Sequence, residues 1–412
     1  MNCGLIGYPL GHSYSPQIHR ALADYDYRLW PLKPEELEAF LVKRDFAGIN
    51  VTIPYKERVI PYLDQLSDTA RAIGAVNTVV NRDGKLYGDN TDLAGMLALI
   101  RRMGLALEGK KVLVLGTGGT SKTARAAVSQ LGAAEVYRVS RSGRDGAVTY
   151  RQAAEEHRDA ACIINTTPCG MYPDLGGCPV ELDSFPCLEG VVDVIYNPLR
   201  SELVLGARQR GIPAEGGLYM LAAQAAYASA LFRGCEATAG DIELAYRTVL
   251  HRMENIVLIG MPSSGKTTVG WLLAQRTGKE FVDTDALVEQ AVGMPVPDYF
   301  AAKGESAFRE REKEAVASAA ASGGKVIATG GGAVLRSENL RALRRTGRLV
   351  FLDRSPDKLT ATADRPLSAD PEALRRRYEE RYDIYCAAAD LRVNGDGSSE
   401  DTAERIEREW TI

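Results

Sequence analysis

No stretch of the sequence strings together about 18 apolar residues, so no membrane-spanning helix is expected. Nor is a secretory leader expected from the start of the sequence. The start, MNCGLIGYPLGHSYS, has no basic cluster, and Gly, Pro and His interrupt its apolar run. Charge of one sign is not in excess: 50 Lys and Arg stand against 54 Asp and Glu. A nucleic-acid partner would ask for a basic face, and only a local patch remains open. The 7 cysteines (Cys3, Cys162, Cys169, Cys178, Cys187, Cys235, Cys386) are odd in number and scattered without a C-x-x-C pair. The 4 histidines show no metal-ligand spacing. Free thiols in a reducing cytoplasm are the expectation. There is no internal repeat and no low-complexity tract. What is present is a globular composition, 45% hydrophobic and 25% charged, in a chain of 412 residues. That length exceeds one ordinary core and predicts two or three domains.

Two segments each read as a short apolar strand, a glycine turn and a helix. The first is Lys111–Leu115, then Gly116-Thr-Gly118-Gly119-Thr-Ser121, then an Ala-rich helix to about residue 131. The second is Asn255–Ile259, then residues 260–268, then a helix over 269–276. Neither apolar run alternates, as expected of buried parallel strands. Residues 1–95 carry further β/α patterns, including a strand at 47–53. Residues 216–250 read as helix from the spacing of Gly217, Leu218, Met220, Leu221, Gln224, Ala225 and Ala228. The stretch 251–255 is not rich in Pro, Gly or Ser, which predicts a short joint and not a floppy tether.

Gly260-Met-Pro-Ser-Ser-Gly265-Lys266-Thr267 fits G-x-x-x-x-G-K-[ST]. Chemistry dictates this pattern. Glycines let backbone N–H groups wrap phosphate oxygens, the lysine reaches the β- and γ-phosphates, and the hydroxyl holds Mg²⁺. Its place between a buried strand and a helix is the context the motif requires. Further on, Phe281-Val-Asp283-Thr-Asp285 sets two carboxylates at i and i+2. One suits Mg²⁺ and the other suits accepting a proton from an attacking hydroxyl; a turn with solvated acids fits the spacing equally. Phe308-Arg309-Glu310-Arg311-Glu312 is a charged helical stretch, a pattern shared with solvated faces. Thr329-Gly330-Gly331-Gly332-Ala333 follows a strand at 326–328 and lets a ligand approach the backbone. Asp364-Arg365-Pro366-Leu367 and Arg381-Tyr-Asp-Ile-Tyr385 place arginines late in the fold.

With these ordered motifs, residues 254–412 resemble the shikimate kinases. The resemblance implies that Gly260, Ser263, Ser264, Gly265, Lys266, Thr267 and Thr268 hold ATP, with Thr267 and Asp283 at Mg²⁺. Lys266 and Asp285 would be catalytic, Asp285 as the base beside the sugar-like hydroxyl. Arg309 and Arg381 would grip the shikimate carboxylate, a task suited to a planar bidentate donor. Glu312 would hold Arg309, Gly330, Gly331 and Gly332 would line the substrate pocket, and Arg365 would belong to a lid over ATP. Two departures stand out. Ser263 occupies a place where the family's phosphate loops usually have Gly, and the lid segment at 360–364 is short and lacks a usual second Arg.

The first glycine loop ends in Ser121 where G-x-G-x-x-G has its last glycine. The next strand ends in Val139-Ser140-Arg141-Ser142. An NAD site would place an Asp or Glu there for the ribose 2′-hydroxyl, whereas Arg141 between two hydroxyls suits a 2′-phosphate; an ordinary surface arginine is the other reading. The N-terminal region carries His12-Ser13-Tyr14-Ser15-Pro16, Asn50-Val-Thr52-Ile-Pro54-Tyr-Lys56, Gly74-Ala-Val-Asn77-Thr78 and Gly88-Asp-Asn90-Thr91-Asp92. Singly, each fits a cap or turn. Together they supply hydroxyl, amide, ammonium and carboxylate groups, the set needed to grip a polyol acid.

In this order, with G-x-G-G-x-S and G-x-x-M-L-x-x-Q, the motifs resemble shikimate dehydrogenase over about residues 1–250. The resemblance implies that Ser13 and Ser15 bind the carboxylate, with Tyr196 nearby. Thr52, Asn77, Asp92 and Gln224 would bind ring hydroxyls, and Lys56 and Asp92 would form the proton-transfer pair. Gly116, Gly118, Gly119, Ser140, Arg141, Ser142 and Met220 would bind NADP, with Asn165-Thr-Thr167 along its border.

The fold expected is α/β throughout. A substrate-binding domain over 1–95, completed by helices in 216–250, precedes a Rossmann NADP-binding domain over 96–215. A P-loop kinase domain with a central parallel sheet follows over 254–412. The expected function is NADPH-dependent reduction of 3-dehydroshikimate to shikimate, then MgATP-dependent phosphorylation to shikimate 3-phosphate. NADP, ATP and Mg²⁺ are the cofactors, small molecules the partners, and the cytoplasm the location; neither nucleic acid nor membrane takes part, and a homo-oligomer is allowed. A ligand sensor without catalysis is the rival from another class, and the intact set Lys56, Asp92, Lys266, Thr267 and Asp285 speaks against it. Quinate as the first substrate keeps both activities; Arg141 weighs against it without excluding it.

Overall fold

The computed structural model describes all residues except 12, 360–370 and 412. Two compact units divide the chain, Met1–Leu250 and His251–Ile412.

The first unit holds two six-stranded sheets. One runs Asp26–Trp30, Asn2–Ile6, Gly48–Val51, Thr78–Arg82, Lys85–Asp89, Gln65–Leu66. Its first three strands are parallel, and Thr78–Arg82 is antiparallel to both neighbours. The strand expected at 47–53 is the shorter Gly48–Val51, buried throughout. The chain leaves the ladder ahead of Pro54, which has no N–H to offer it.

The other sheet runs Ala214–Glu215, Gly190–Asp193, Cys162–Asn165, Lys111–Leu115, Glu135–Ser140, Val148–Thr149, all parallel. Numbered along the chain and read from the far edge, that is the order 3-2-1-4-5-6 of the doubly wound dinucleotide fold. The winding reverses between Lys111–Leu115 and Cys162–Asn165, so a ligand crevice is expected beyond the carboxyl ends of those strands.

The helical stretch expected at 216–250 is two helices, Leu218–Arg233 and Ala239–Met253. Gly234 closes the first with a left-handed cap at φ 69°. Helix Thr91–Arg102 runs through residues 95 and 96 and packs along Leu218–Arg233. The two backbones come close because position 95 is glycine: a Cβ there would stand 2.7 Å from the Met220 carbonyl oxygen.

The second unit is built on one parallel sheet in the order Glu280–Asp283, Lys325–Ala328, Asn255–Ile259, Gly347–Asp353, Leu391–Asn394. Successive residues of Asn255–Ile259 face opposite sides. Val257 and Ile259 join a core with Phe351 and Tyr385, while Ile256 and Leu258 join one with Leu273 and Trp410. Both sides are covered, which is why this strand is apolar without alternation. Helix Lys266–Thr277 begins at the loop lysine and not at 269. Its apolar spacing starts only at Val269, because the first turn, Lys266-Thr267-Thr268, carries polar side chains beside the unpaired N–H groups of the helix start. Among the described residues no helix is long and apolar enough to cross a membrane.

Candidate active sites

A cleft of about 380 Å³ opens in the first unit. Ser13, Ser15, Thr52, Lys56, Asn77, Asp92, Tyr196, Met220 and Gln224 all border it. Lys56 Nζ lies 2.5 Å from Asp92 Oδ2. Their side chains are 32% and 17% exposed, so the pair faces the cleft from a partly desolvated wall. Asp92 stands in the first turn of Thr91–Arg102, where the helix dipole favours negative charge. Asn77 holds its other oxygen: Nδ2 donates to Asp92 Oδ1 at 2.9 Å and to Thr91 Oγ1 at 3.0 Å. Thr91 N–H in turn donates to Asn77 Oδ1 at 2.7 Å. The carboxylate is fixed from two sides and the ammonium is fixed by the carboxylate. Burial pushes the Tyr196 phenol above its usual pKa, which keeps it a neutral donor.

Asn50 also borders this cleft. Its Oδ1 accepts from Tyr27 Oη at 2.7 Å and its Nδ2 donates to Thr78 Oγ1 at 3.3 Å. No role for it follows from its motif alone. The signal was an amide inside the buried strand Gly48–Val51, which demands partners.

The residues expected to bind NADP lie along the edge where the second sheet reverses. Gly116 has φ 108°, and a Cβ there would stand 2.7 Å from Thr166 Oγ1. Gly118 and Gly119 face open space, and Gly119 begins helix Gly119–Gln130. Open backbone at a helix N-terminus fits a diphosphate. Ser121 replaces a glycine without spoiling this: its buried hydroxyl donates to the Gly118 carbonyl at 2.7 Å. Arg141 is exposed just past Glu135–Ser140. Ser140 Oγ accepts from Gly143 N–H at 3.1 Å and Ser142 Oγ from Arg144 N–H at 3.5 Å, which shapes the loop that carries Arg141.

Asn165 is anchored from below by Asp193, which the motifs did not reveal. Asp193 Oδ1 accepts from Asn165 Nδ2 and Ile195 N–H, each at 3.0 Å, and Oδ2 accepts from Ser201 Oγ at 2.5 Å. Burial nevertheless pushes this carboxyl up to about 6. A lone acid closing the otherwise apolar run Gly190–Asp193 was the available signal.

In the second unit Lys266 Nζ donates to Gly260 O at 3.0 Å and Met261 O at 2.7 Å. Thr267 Oγ1 donates to Asp283 Oδ2 at 2.8 Å, and Asp283 Oδ1 accepts from Asp285 N–H at 3.0 Å. A hydroxyl and a carboxylate are hard oxygen donors of the kind Mg²⁺ takes, so Thr267 and Asp283 would suit it. Among the described residues no three His, Cys, Asp or Glu side chains gather as a metal cage. Ser263 keeps the left-handed backbone of a glycine, at φ 62°, at a cost of about 1–2 kcal/mol. Thr268 is exposed in the first helical turn. Arg365 lies outside the described residues.

Arg309 Nη1 pairs with the buried Glu312 at 2.8 Å and Nη2 with Glu305 at 3.1 Å. Burial works against the guanidinium charge, but these two carboxylates hold its pKa above the usual value. A Cβ on Gly330 would stand 2.7 Å from Asp285 Oδ1 and 2.8 Å from Glu312 Oε1, and one on Gly332 would collide with the Arg309 guanidinium. The glycine run thus lets Asp285, Glu312 and Arg309 converge. Arg381 Nη1 and Tyr385 Oη both donate to Gly331 O, at 3.2 and 2.5 Å. Tyr385 and Glu305 have roles here that the motifs did not assign. Each lies one helical turn from a chosen arginine, at the spacing that puts side chains on one face.

The family model described as shikimate dehydrogenase substrate binding domain matches residues 5–79, and the shikimate kinase model matches residues 262–410. The shikimate dehydrogenase (NADP(+)) of Halothermothrix orenii is 38% identical over 264 residues, covering 56% of this chain and 90% of its own. The chain belongs to the shikimate dehydrogenase family. A second relative in that family, from Clostridium perfringens, is 36% identical over 252 residues, covering 56% of this chain and 92% of its own. The crystal structure of Thermus thermophilus shikimate 5-dehydrogenase in complex with NADP(H) and shikimate is similar to the dehydrogenase part, with a TM-score of 0.54 and 32% identity. It covers 60% of this chain and 98% of that one. The shikimate dehydrogenase unit is thus followed by a shikimate kinase domain.

Proposed function

We propose that the first unit reduces 3-dehydroshikimate to shikimate with NADPH and that the second phosphorylates shikimate with MgATP. The observation that carries the reading is the Lys56–Asp92 pair, 2.5 Å apart, in a cleft ringed by small polar groups. As hydride reaches the ketone carbon, its oxygen gains negative charge and needs a proton. Lys56 donates that proton, and Asp92 and Asn77 orient it. Ser13, Ser15 and Tyr196 take the carboxylate, and Thr52, Asn77 and Gln224 the ring hydroxyls. Residues 1–95 with the helices of 216–250 act as the substrate lobe, and 96–215 as the nucleotide lobe; the two separate sheets support that division.

In the kinase unit Asp285 orients the acceptor hydroxyl and takes its proton. Arg309 and Arg381 hold the carboxylate, and Lys266 offsets charge on the phosphates. Mg²⁺, held through Thr267 and Asp283, supplies further neutralisation of phosphate charge. The seven free thiols suit a reducing cytoplasm.

The full chain tests this directly. Given 3-dehydroshikimate, NADPH and MgATP together, it should consume NADPH and then release ADP. With NADPH withheld, ADP release should stop. ADP release that continues without NADPH would mean the kinase takes another acceptor.

Cofactor choice gives a second test. Arg141→Ala should raise the KM for NADPH by about ten- to a hundredfold, because a hydrogen bond to a charged group contributes about 1.5–3 kcal/mol. The KM for NADH should barely move. Steady-state rates with both nucleotides decide it, and an unchanged preference would remove Arg141 from the cofactor site.

A further inference from the structure

The carboxyl end of strand Gly347–Asp353 abuts the phosphate loop. A Cβ on Gly260 would stand 2.8 Å from the Leu352 carbonyl oxygen. Arg354, the next residue after the strand, therefore emerges beside that loop. Its Nη1 lies 3.7 Å from the place a Cβ on Gly265 would occupy, at the start of helix Lys266–Thr277.

Arg354 has donors to spare there. Its Nε is buried and has no hydrogen-bond partner among the described residues. The neighbouring acids have other hydrogen-bond partners, although the Arg354 charge also acts on Asp396. Asp353 pairs with Arg392 at 2.7 Å and accepts from Tyr378 Oη at 3.1 Å. Asp396 accepts from Ser355 N–H at 2.8 Å and lies 3.8 Å from Lys358. A guanidinium stays charged and offers a rigid fork of N–H groups. An unmatched buried donor is costly, and the cost falls when an anion meets it.

We propose that Arg354 binds the phosphate chain of the nucleotide, as a second cation reaching the loop from a different element than Lys266. Lysine brings a point charge from the helix; Arg354 brings two parallel donors from the sheet, the geometry that takes two oxygens at once. The proposal rests on the reading of this unit as an ATP-dependent kinase.

Calorimetric titration of the full chain with MgATP and with magnesium tripolyphosphate tests it. The unsubstituted chain should bind both. Arg354→Ala should weaken both by a similar factor, about ten- to a hundredfold, the range of a charge-assisted contact. Arg354→Lys should fall between, since it keeps the charge and loses the fork; it also decides the matter if the Ala variant fails to fold. Undiminished affinity in both variants would overturn the proposal. A loss for MgATP alone would also overturn it, since Arg354 would then contact base or sugar. An unsubstituted chain that binds neither ligand would overturn the kinase reading and this proposal together.

Discussion

Asp285→Asn should lower shikimate phosphorylation by about 10²–10⁴-fold, the usual worth of a positioned general base, and leave NADPH-dependent reduction unchanged. Asparagine keeps the size of the side chain and removes its charge. The phosphate loop is untouched, so ATP should still bind with ordinary affinity. The local frame should hold as well: Asp283 accepts from the backbone N–H of residue 285, which the substitution retains. What changes is the group packed against Gly330 beside Glu312 and Arg309. ADP release with shikimate, set against a nucleotide titration, separates chemistry from binding. Phosphorylation within a few-fold of normal would make Asp285 a structural acid and would reopen the assignment of the acceptor.

Lys56→Ala should reduce NADPH oxidation by about 10²–10⁴-fold or more, because it removes the proton donor from the reacting oxygen. Asp92 keeps its bond to Asn77 and its place in the first helical turn, so the cleft should survive. NADPH binding should persist, since the glycine loop belongs to the other sheet. ATP-dependent phosphorylation of added shikimate should stay near normal, because every proposed kinase residue lies in the second unit. Loss of both activities in a folded variant would count against separate sites.

Groups whose chemistry fixes their neighbours were legible from the sequence. Gly265, Lys266 and Thr267 need each other at fixed spacing to hold phosphate, and a strand and a helix must flank them. The alternation of apolar runs and glycine turns likewise pointed to parallel sheets. Supporting contacts were not legible, because they join residues far apart in the chain. Asn50 matters through Tyr27 on a strand two places away in the sheet, and Asp193 through Asn165 on the adjacent strand. The position of the break, at Gly234, did not follow from the sequence because apolar spacing continues on both sides of it. Arg354 belongs to no motif; only the approach of the strand end to the loop brings it near Gly265.

Lys266 is solvated by its own loop, through the carbonyls of Gly260 and Met261. Any incoming anion must therefore displace oxygens that are already well placed. A bound polyphosphate would engage the lysine, the N–H groups of the helix start and the Thr267 hydroxyl together, and that joint gain would offset the exchange. The Lys266 charge is thus held by its own loop before a ligand arrives, and a polyphosphate takes over its contacts instead of meeting a bare ammonium.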